Sequence, residues 1–254
     1  DKSINLLFGE DVDIFHKQEQ VENIIRPESI REIRLFYNPG EKEKVGFLED
    51  MLGQDTLPTL QERLRERSMP PGVTILMHGR PGTGKTETIR QVSRKTGREI
   101  IHVDLSEAKS MWFGESEKKV REIFDAYREY AAKKEVIPIL LFNEADALFS
   151  KRRDVNHSSV AQTENAIQNI LLEQLEEFEG ILAATTNLTD NLDKAFERRF
   201  LYKINFKEPT PEVKGRIWQS KIRHLPEQDC TRLAQRFNLS GGQIDNIARK
   251  VVTE

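Results

Sequence analysis

The sequence predicts an α/β fold: a parallel sheet covered by helices on both faces, followed by a small all-helical tail. Three observations carry that expectation. Short apolar segments alternate with longer amphipathic ones from Val73 to Phe206, the pattern of strands joined by crossover helices. A glycine-rich segment stands between the first of these strands and the helix after it. Beyond Pro209 and Pro211 the strand pattern stops, and only helical stretches remain.

The elements follow in order. Residues 1–56 mix charge with short apolar patches, carry no motif, and are left as an N-terminal segment without an assigned role. Leu57, Leu60 and Leu64 then fall at helical spacing, Pro58 suits the first turn, and Pro70-Pro71-Gly72 stops the helix. A strand over Val73 to His78 leads into the glycine-rich segment, and a helix from Glu87 to Thr96 ends at Gly97. The unit repeats as strand 99–104, helix 115–133, strand 136–142, helix 160–178, strand 180–186 and strand 200–206. Residues 57–206 are read as the α/β core and 207–254 as the helical tail, with helices over 212–223, 227–236 and 242–252. No internal repeat or low-complexity tract interrupts the chain.

Charge and cysteine usage narrow the function classes. The 254 residues carry 39 Lys plus Arg against 42 Asp plus Glu, a net charge of -3. Such a balance gives no basic footprint for nonspecific binding to nucleic acid or to an anionic membrane. Cys230, the one cysteine, cannot form an intramolecular disulfide, and no charged-then-apolar leader opens the chain. The longest apolar run, Val136 to Phe142, contains Pro138 and is far shorter than the ~20 residues a membrane helix needs. A cytoplasmic protein without membrane insertion is expected. Because residue 1 is Asp, the chain is expected to be a fragment or processed form.

Gly79-Arg80-Pro81-Gly82-Thr83-Gly84-Lys85-Thr86 matches the phosphate-loop pattern in full, with its strand before and its helix after. The glycines let backbone N–H groups wrap phosphates, Lys85 places a cation on the β and γ oxygens, and Thr86 offers a hydroxyl to Mg²⁺. The helix that follows points its positive end at the same anion. Pro81, Gly82, Thr83, Gly84, Lys85, Thr86 and Glu87 are therefore the expected contacts of a nucleotide's phosphates. A second strand, Ile139 to Phe142, ends in Asn143-Glu144. A carboxylate at 143 would favour Mg²⁺, and Glu144 is placed to polarise a water against the γ-phosphate. Asn143 keeps a carbonyl oxygen but has no negative charge, so weakened Mg²⁺ binding is expected. The plainer reading of Glu144 is a surface ion pair.

Together these residues resemble the AAA family of ATPases of the AAA+ superfamily, over about Leu57 to Val252. The resemblance implies a P-loop NTPase core, with the tail as a helical lid. It makes Asn187, ending the strand Leu182-Ala183-Ala184-Thr185-Thr186, the polar residue that orients the attacking water. Glu197-Arg198-Arg199-Phe200 is similar to the family's arginine-finger segment, in the short form of the katanin and spastin branch. Arg198 and Arg199 would then reach a neighbouring subunit's nucleotide; otherwise they cap a helix C-terminus. Trp112-Phe113-Gly114 resembles the first pore loop, where aromatics grip an extended polypeptide; otherwise these rings are packing residues. Residues 151–159 fall in the second pore-loop region, or form a solvated loop. Leu239 to Asp245 resembles the lid motif, with Gly241 and Gly242 beside the nucleotide. No Asp-Ile-Gly-Gly segment precedes the loop, so the adenine pocket stays unassigned. The resemblance implies a homo-oligomer, a hexameric ring, that hydrolyses Mg-ATP to remodel a protein substrate. Asn143 leaves open a slow ATP-gated switch or scaffold.

Overall fold

The computed structural model describes residues 23–104, 116–151, 159–189, 191–222 and 224–253. Its strands are β1 (Ile24–Ile25), β2 (Val73–Gly79), β3 (Ile100–Asp104), β4 (Ile139–Asn143), β5 (Ile181–Thr186) and β6 (Tyr202–Phe206). They form one sheet in the order β1-β3-β4-β5-β2-β6. Only β1 runs antiparallel, pairing Ile24 with Ile101; the other neighbours are parallel. The helices are α1 (Pro39–Met51), α2 (Thr56–Glu66), α3 (Lys85–Thr96), α4 (Ser116–Ala131), α5 (Asp146–Phe149), α6 (Ser159–Glu176), α7 (Lys194–Arg199), α8 (Pro211–Lys221), α9 (Glu227–Arg236) and α10 (Gly241–Thr253).

Residue parity explains why the central strands are apolar throughout. Leu140, Phe142, Leu182 and Ala184 pack with Phe124, Tyr127 and Phe178 of the α4 and α6 side. Ile139, Leu141, Ile181 and Ala183 face the other way, towards Val45, Leu48, Ile89 and Val92 of α1 and α3. A parallel sheet covered on both faces leaves no strand face for polar residues. The observed ends shift for local reasons. The strand expected from 136 begins at Ile139, whose N–H bonds Glu99 O at 2.8 Å, because Pro138 has no N–H to give the ladder. The strand expected from 200 begins at Tyr202, because the preceding turn is tied to β2: Thr74 Oγ1 donates to Arg199 O at 2.9 Å and accepts from Leu201 N at 3.0 Å.

Of the segment before residue 57, the described residues 23–56 pack within the core. Ile30, Val45, Leu48, Met51 and Leu52 bury against the sheet, and β1 covers the edge of β3. Helix α1 opens with a capping box, in which the Asn38 N–H donates to Glu41 Oε2 at 3.1 Å behind Pro39 at the first turn. Arg98, also buried, donates to Leu52 O, Gly53 O and Ile137 O, clipping the end of α1 to the approach of β4. The tail has its own small core of Val213, Ile217, Trp218, Cys230 and Ile244, against which Phe36 of the N-terminal segment packs. Cys230 is buried there, and that burial holds its thiol in the neutral form. Among the described residues no helix is long and apolar enough to cross a membrane.

Candidate functional site

The groups singled out from the sequence converge at the carboxyl ends of β2, β4 and β5. In a parallel sheet this is where the loops open a crevice for ligand. Gly79, with φ +142°, begins the phosphate loop in backbone reserved for glycine, and a Cβ there would lie 2.1 Å from Phe206 O of β6. At Gly82, with φ +74°, a Cβ would meet Ser240 Oγ of the tail at 2.7 Å. The loop is thus pressed between the last strand and the tail, and it feeds directly into α3.

Lys85 is buried, and its ammonium donates to Gly79 O at 2.7 Å, Arg80 O at 3.0 Å and Asn187 Oδ1 at 2.9 Å. All three donors are therefore used. Burial pulls its pKa from 10.5 to about 8, although the negative charges of Asp146 and Glu144 act the other way. Phosphate oxygens would replace neutral acceptors with charged ones and restore the cation.

Thr86 Oγ1 donates to Asn143 Oδ1 at 2.8 Å, and Thr185 Oγ1 donates to the same oxygen at 2.9 Å. That convergence presents hydroxyl and carbonyl oxygens but no formal charge. Among the described residues there is no cluster of His, Cys, Asp and Glu able to hold a metal alone. The donor set fits a hard cation that arrives with phosphate and water ligands of its own, as Mg²⁺ does with ATP. Glu144 follows with φ +55°, its N–H donating to Thr185 Oγ1 at 3.1 Å. A non-glycine residue in the left-handed region costs about 1–3 kcal/mol, and such strain gathers at functional sites. Glu144 is exposed and makes no ion pair among the described residues, so the surface-pair reading finds no partner.

Asp146, absent from the sequence assignment, organises the other wall. Its Oδ1 accepts from Thr186 Oγ1 and Asn187 N, both at 2.7 Å, and its Oδ2 accepts from Asn187 Nδ2 at 3.1 Å. These bonds turn the Asn187 amide so that its oxygen faces Lys85. The signal was a carboxylate two residues after Glu144, but its meaning depends on β4 and β5 being neighbours.

The remaining assignments divide. Pro81 is exposed, Thr83 Oγ1 donates to Arg80 O at 2.8 Å, and Glu87 accepts from Gln91 Nε2 at 2.7 Å. Gly242 N donates to Gly82 O at 2.9 Å, and Gly241 lies beside it, so the tail touches the phosphate loop. Arg199 bonds Ala195 O of its own helix at 3.0 Å and pairs with Glu176, which is the helix-capping alternative. Arg198 is exposed and has no bonding partner among the described residues. Trp112, Phe113 and Gly114 lie outside the described residues, as does most of 151–159. Sequence reasoning left residues 1–56 without a role, yet residues 33–38 form one wall of a cavity of about 320 Å³. Leu35, Phe36 and Asn38 face Gly82, Gly242 and Asp245 across it.

A parallel sheet with this loop and these strand ends defines the class: a P-loop NTPase core. Residues 75–208 match the ATPase family associated with various cellular activities (AAA). The chain belongs to that family, whose members are generally ATP-binding ATP hydrolases. It is 30% identical over 241 residues to a Cell division cycle protein 48 homolog of Archaeoglobus fulgidus, covering 89% of this chain and 32% of that protein. To a Proteasome-activating nucleotidase of Saccharolobus solfataricus it is 31% identical over 199 residues, covering 73% of this chain and 48% of the relative. It thus spans about a third to a half of these relatives. The FIGL-1 AAA domain, solved in complex with ADP, superposes with a TM-score of 0.64 at 22% identity, covering 91% of this chain and 76% of that one. That likeness supports the α/β fold with its mostly parallel sheet.

Proposed function

We propose that this chain is the ATPase module of a homo-oligomer, a hexameric ring of the katanin and spastin type, that binds and hydrolyses Mg-ATP to remodel a protein substrate in the cytoplasm. The observation that carries the reading is the convergence of Lys85, Thr86, Asn143, Glu144 and Asn187 at three adjoining strand ends. Lys85 holds the β and γ oxygens, Glu144 takes the proton of the attacking water, and Asn187 orients that water. Mg²⁺, bound with ATP near Thr86 and Asn143, would neutralise charge on the phosphates. The base lies in the cavity between Phe36 and the tail, which acts as the lid. Arg198, exposed and without a bonding partner among the described residues, is the better placed of the two arginines to serve a neighbouring subunit. Trp112, Phe113 and Gly114 supply the pore loop. Relatives named for activating a proteasome agree with work on protein substrates.

Steady-state ATP hydrolysis against protein concentration tests the reading, with Glu144→Gln as the blank. Specific activity should climb with concentration, and the blank should fall by a factor of about 10² or more, the usual weight of a general base. Flat activity at the blank's level would remove the shared-site ATPase.

A second reading has its own observation. The oxygen that receives Thr86 and Thr185 is a neutral amide, so ATP could serve as a slowly hydrolysed conformational ligand. Asn143→Asp separates the two: a large rise in kcat favours the switch, and an unchanged or lower kcat favours the working ATPase.

A further inference from the structure

Arg80 is the loop residue with two attachments. Its carbonyl accepts from Lys85 Nζ at 3.0 Å and Thr83 Oγ1 at 2.8 Å, while its guanidinium leaves the loop to pair with Glu208. Glu208 lies in the connection between β6 and α8, the covalent link from the α/β core to the helical tail. Its second oxygen accepts from Asn238 Nδ2 at 2.8 Å, and Asn238 Oδ1 accepts from the buried Lys214 Nζ at 2.9 Å. The same connection is held from the N-terminal side. Asn38 Nδ2 donates to Glu208 O at 3.2 Å, and Asn38 Oδ1 accepts from Thr210 N at 3.0 Å. A continuous polar chain therefore runs from the lysine that meets phosphate, through Arg80 and Glu208, into the tail. The only other hydrogen bond between loop and tail among the described residues is the backbone contact of Gly242 with Gly82.

We infer that Arg80, Glu208 and Asn238 form a latch that couples occupancy of the phosphate loop to the position of the helical tail, and so governs how fast nucleotide leaves. The inference rests on the nucleotide-binding reading. Phosphate oxygens draw the Lys85 ammonium away from Arg80 O, the backbone at Arg80 is released, and its guanidinium carries the adjustment to Glu208. Asn238, with Arg80 and Lys214 beside it, holds the Glu208 carboxyl below the usual carboxylate range despite partial desolvation. The pair is thus charged at neutral pH. Glu208 and Asn238 are positioning residues here: they meet no reacting atom.

The experiment follows release of fluorescently labelled ADP from the full chain by stopped flow, beside its equilibrium affinity. Glu208→Gln and Asn238→Ala should each speed release by about two- to fivefold, the worth of an exposed ion pair or hydrogen bond of this kind. The exchanged pair, Arg80→Glu with Glu208→Arg, should release more slowly than either single variant, a rescue that loss of folding cannot produce. Bound ADP whose release is unchanged in Glu208→Gln, or an exchanged pair no slower than its singles, overturns the latch alone. Failure of the unaltered chain to bind ADP overturns the nucleotide reading, and the latch with it.

Discussion

The two walls of the crevice are built on different principles. On the sheet side, Asn143 and Asn187 sit at strand ends and Lys85 and Asp146 open the helices beside them, buried or half-buried, and their short bonds are mostly to one another or to backbone. On the tail side, Asp245 is held by Lys221 at 2.6 Å and Arg249 at 2.9 Å, and Arg249 is 76% exposed. Bonds among half-buried and buried groups resist rearrangement because a broken one leaves a partly desolvated partner, whereas exposed pairs are exchanged for water at little cost. On the proposed function, the difference teaches that chemistry would be kept where geometry is stiff, and the lid where contacts are cheap.

The sharpest way to break that contrast is at Asp146. Asp146→Asn removes one acceptor from Asn187 and leaves the amide free to turn. A displacement of about 1 Å at such a group can cost ~10²-fold, so kcat should fall by about that factor while nucleotide affinity well below pH 8, where Lys85 stays protonated, changes little. A kcat within twofold of the unaltered chain would show that the sheet wall tolerates rearrangement after all. Measuring kcat and KM separately distinguishes this from simple loss of binding.

A smaller effect is expected from pH. Lys85 has a folded pKa of about 8 against 10.5 in the unfolded chain. Between those values the unfolded chain binds more protons, so the nucleotide-free protein gains stability as pH rises through that window. Nucleotide needs the protonated ammonium, so its affinity should weaken above pH 8 by up to about tenfold per pH unit. Isothermal titration across pH 7 to 10 should also detect proton uptake on binding. Affinity flat over that range would contradict the assignment of Lys85 as the phosphate cation. In Asp146→Asn the onset should move to lower pH, because a negative charge that favours the cation has gone.

Much of the core could be read because each apolar strand is bounded by residues with one structural meaning, such as Pro70-Pro71-Gly72 before β2 and Gly97 after α3. What escaped depends on contacts distant in sequence. A two-residue antiparallel strand such as β1 has no period to detect. Helix α1 has a readable capping box in Asn38 and Glu41, but Gly40 and Gly46 lower its intrinsic helicity, and its burial becomes evident only against Val73 and Ile204. The cavity wall at Leu35 and Phe36 has no motif, because it contributes shape rather than charge. Within the site, the phosphate loop was legible from spacing alone; Asp146 was not, since its partners come from another strand. The difference in freedom between Arg198 and Arg199 depends on Glu176, over twenty residues earlier.

Thr74 lies at the start of β2, and its hydroxyl is bonded to Arg199 O and Leu201 N, at the very end of the arginine segment. Val would fill much the same volume and leave both half-buried backbone groups without that partner. Anyone building chimaeras between relatives would find these two stretches inseparable. An arginine segment transplanted without residue 74 loses its anchor, so crossover points should be chosen to inherit both together.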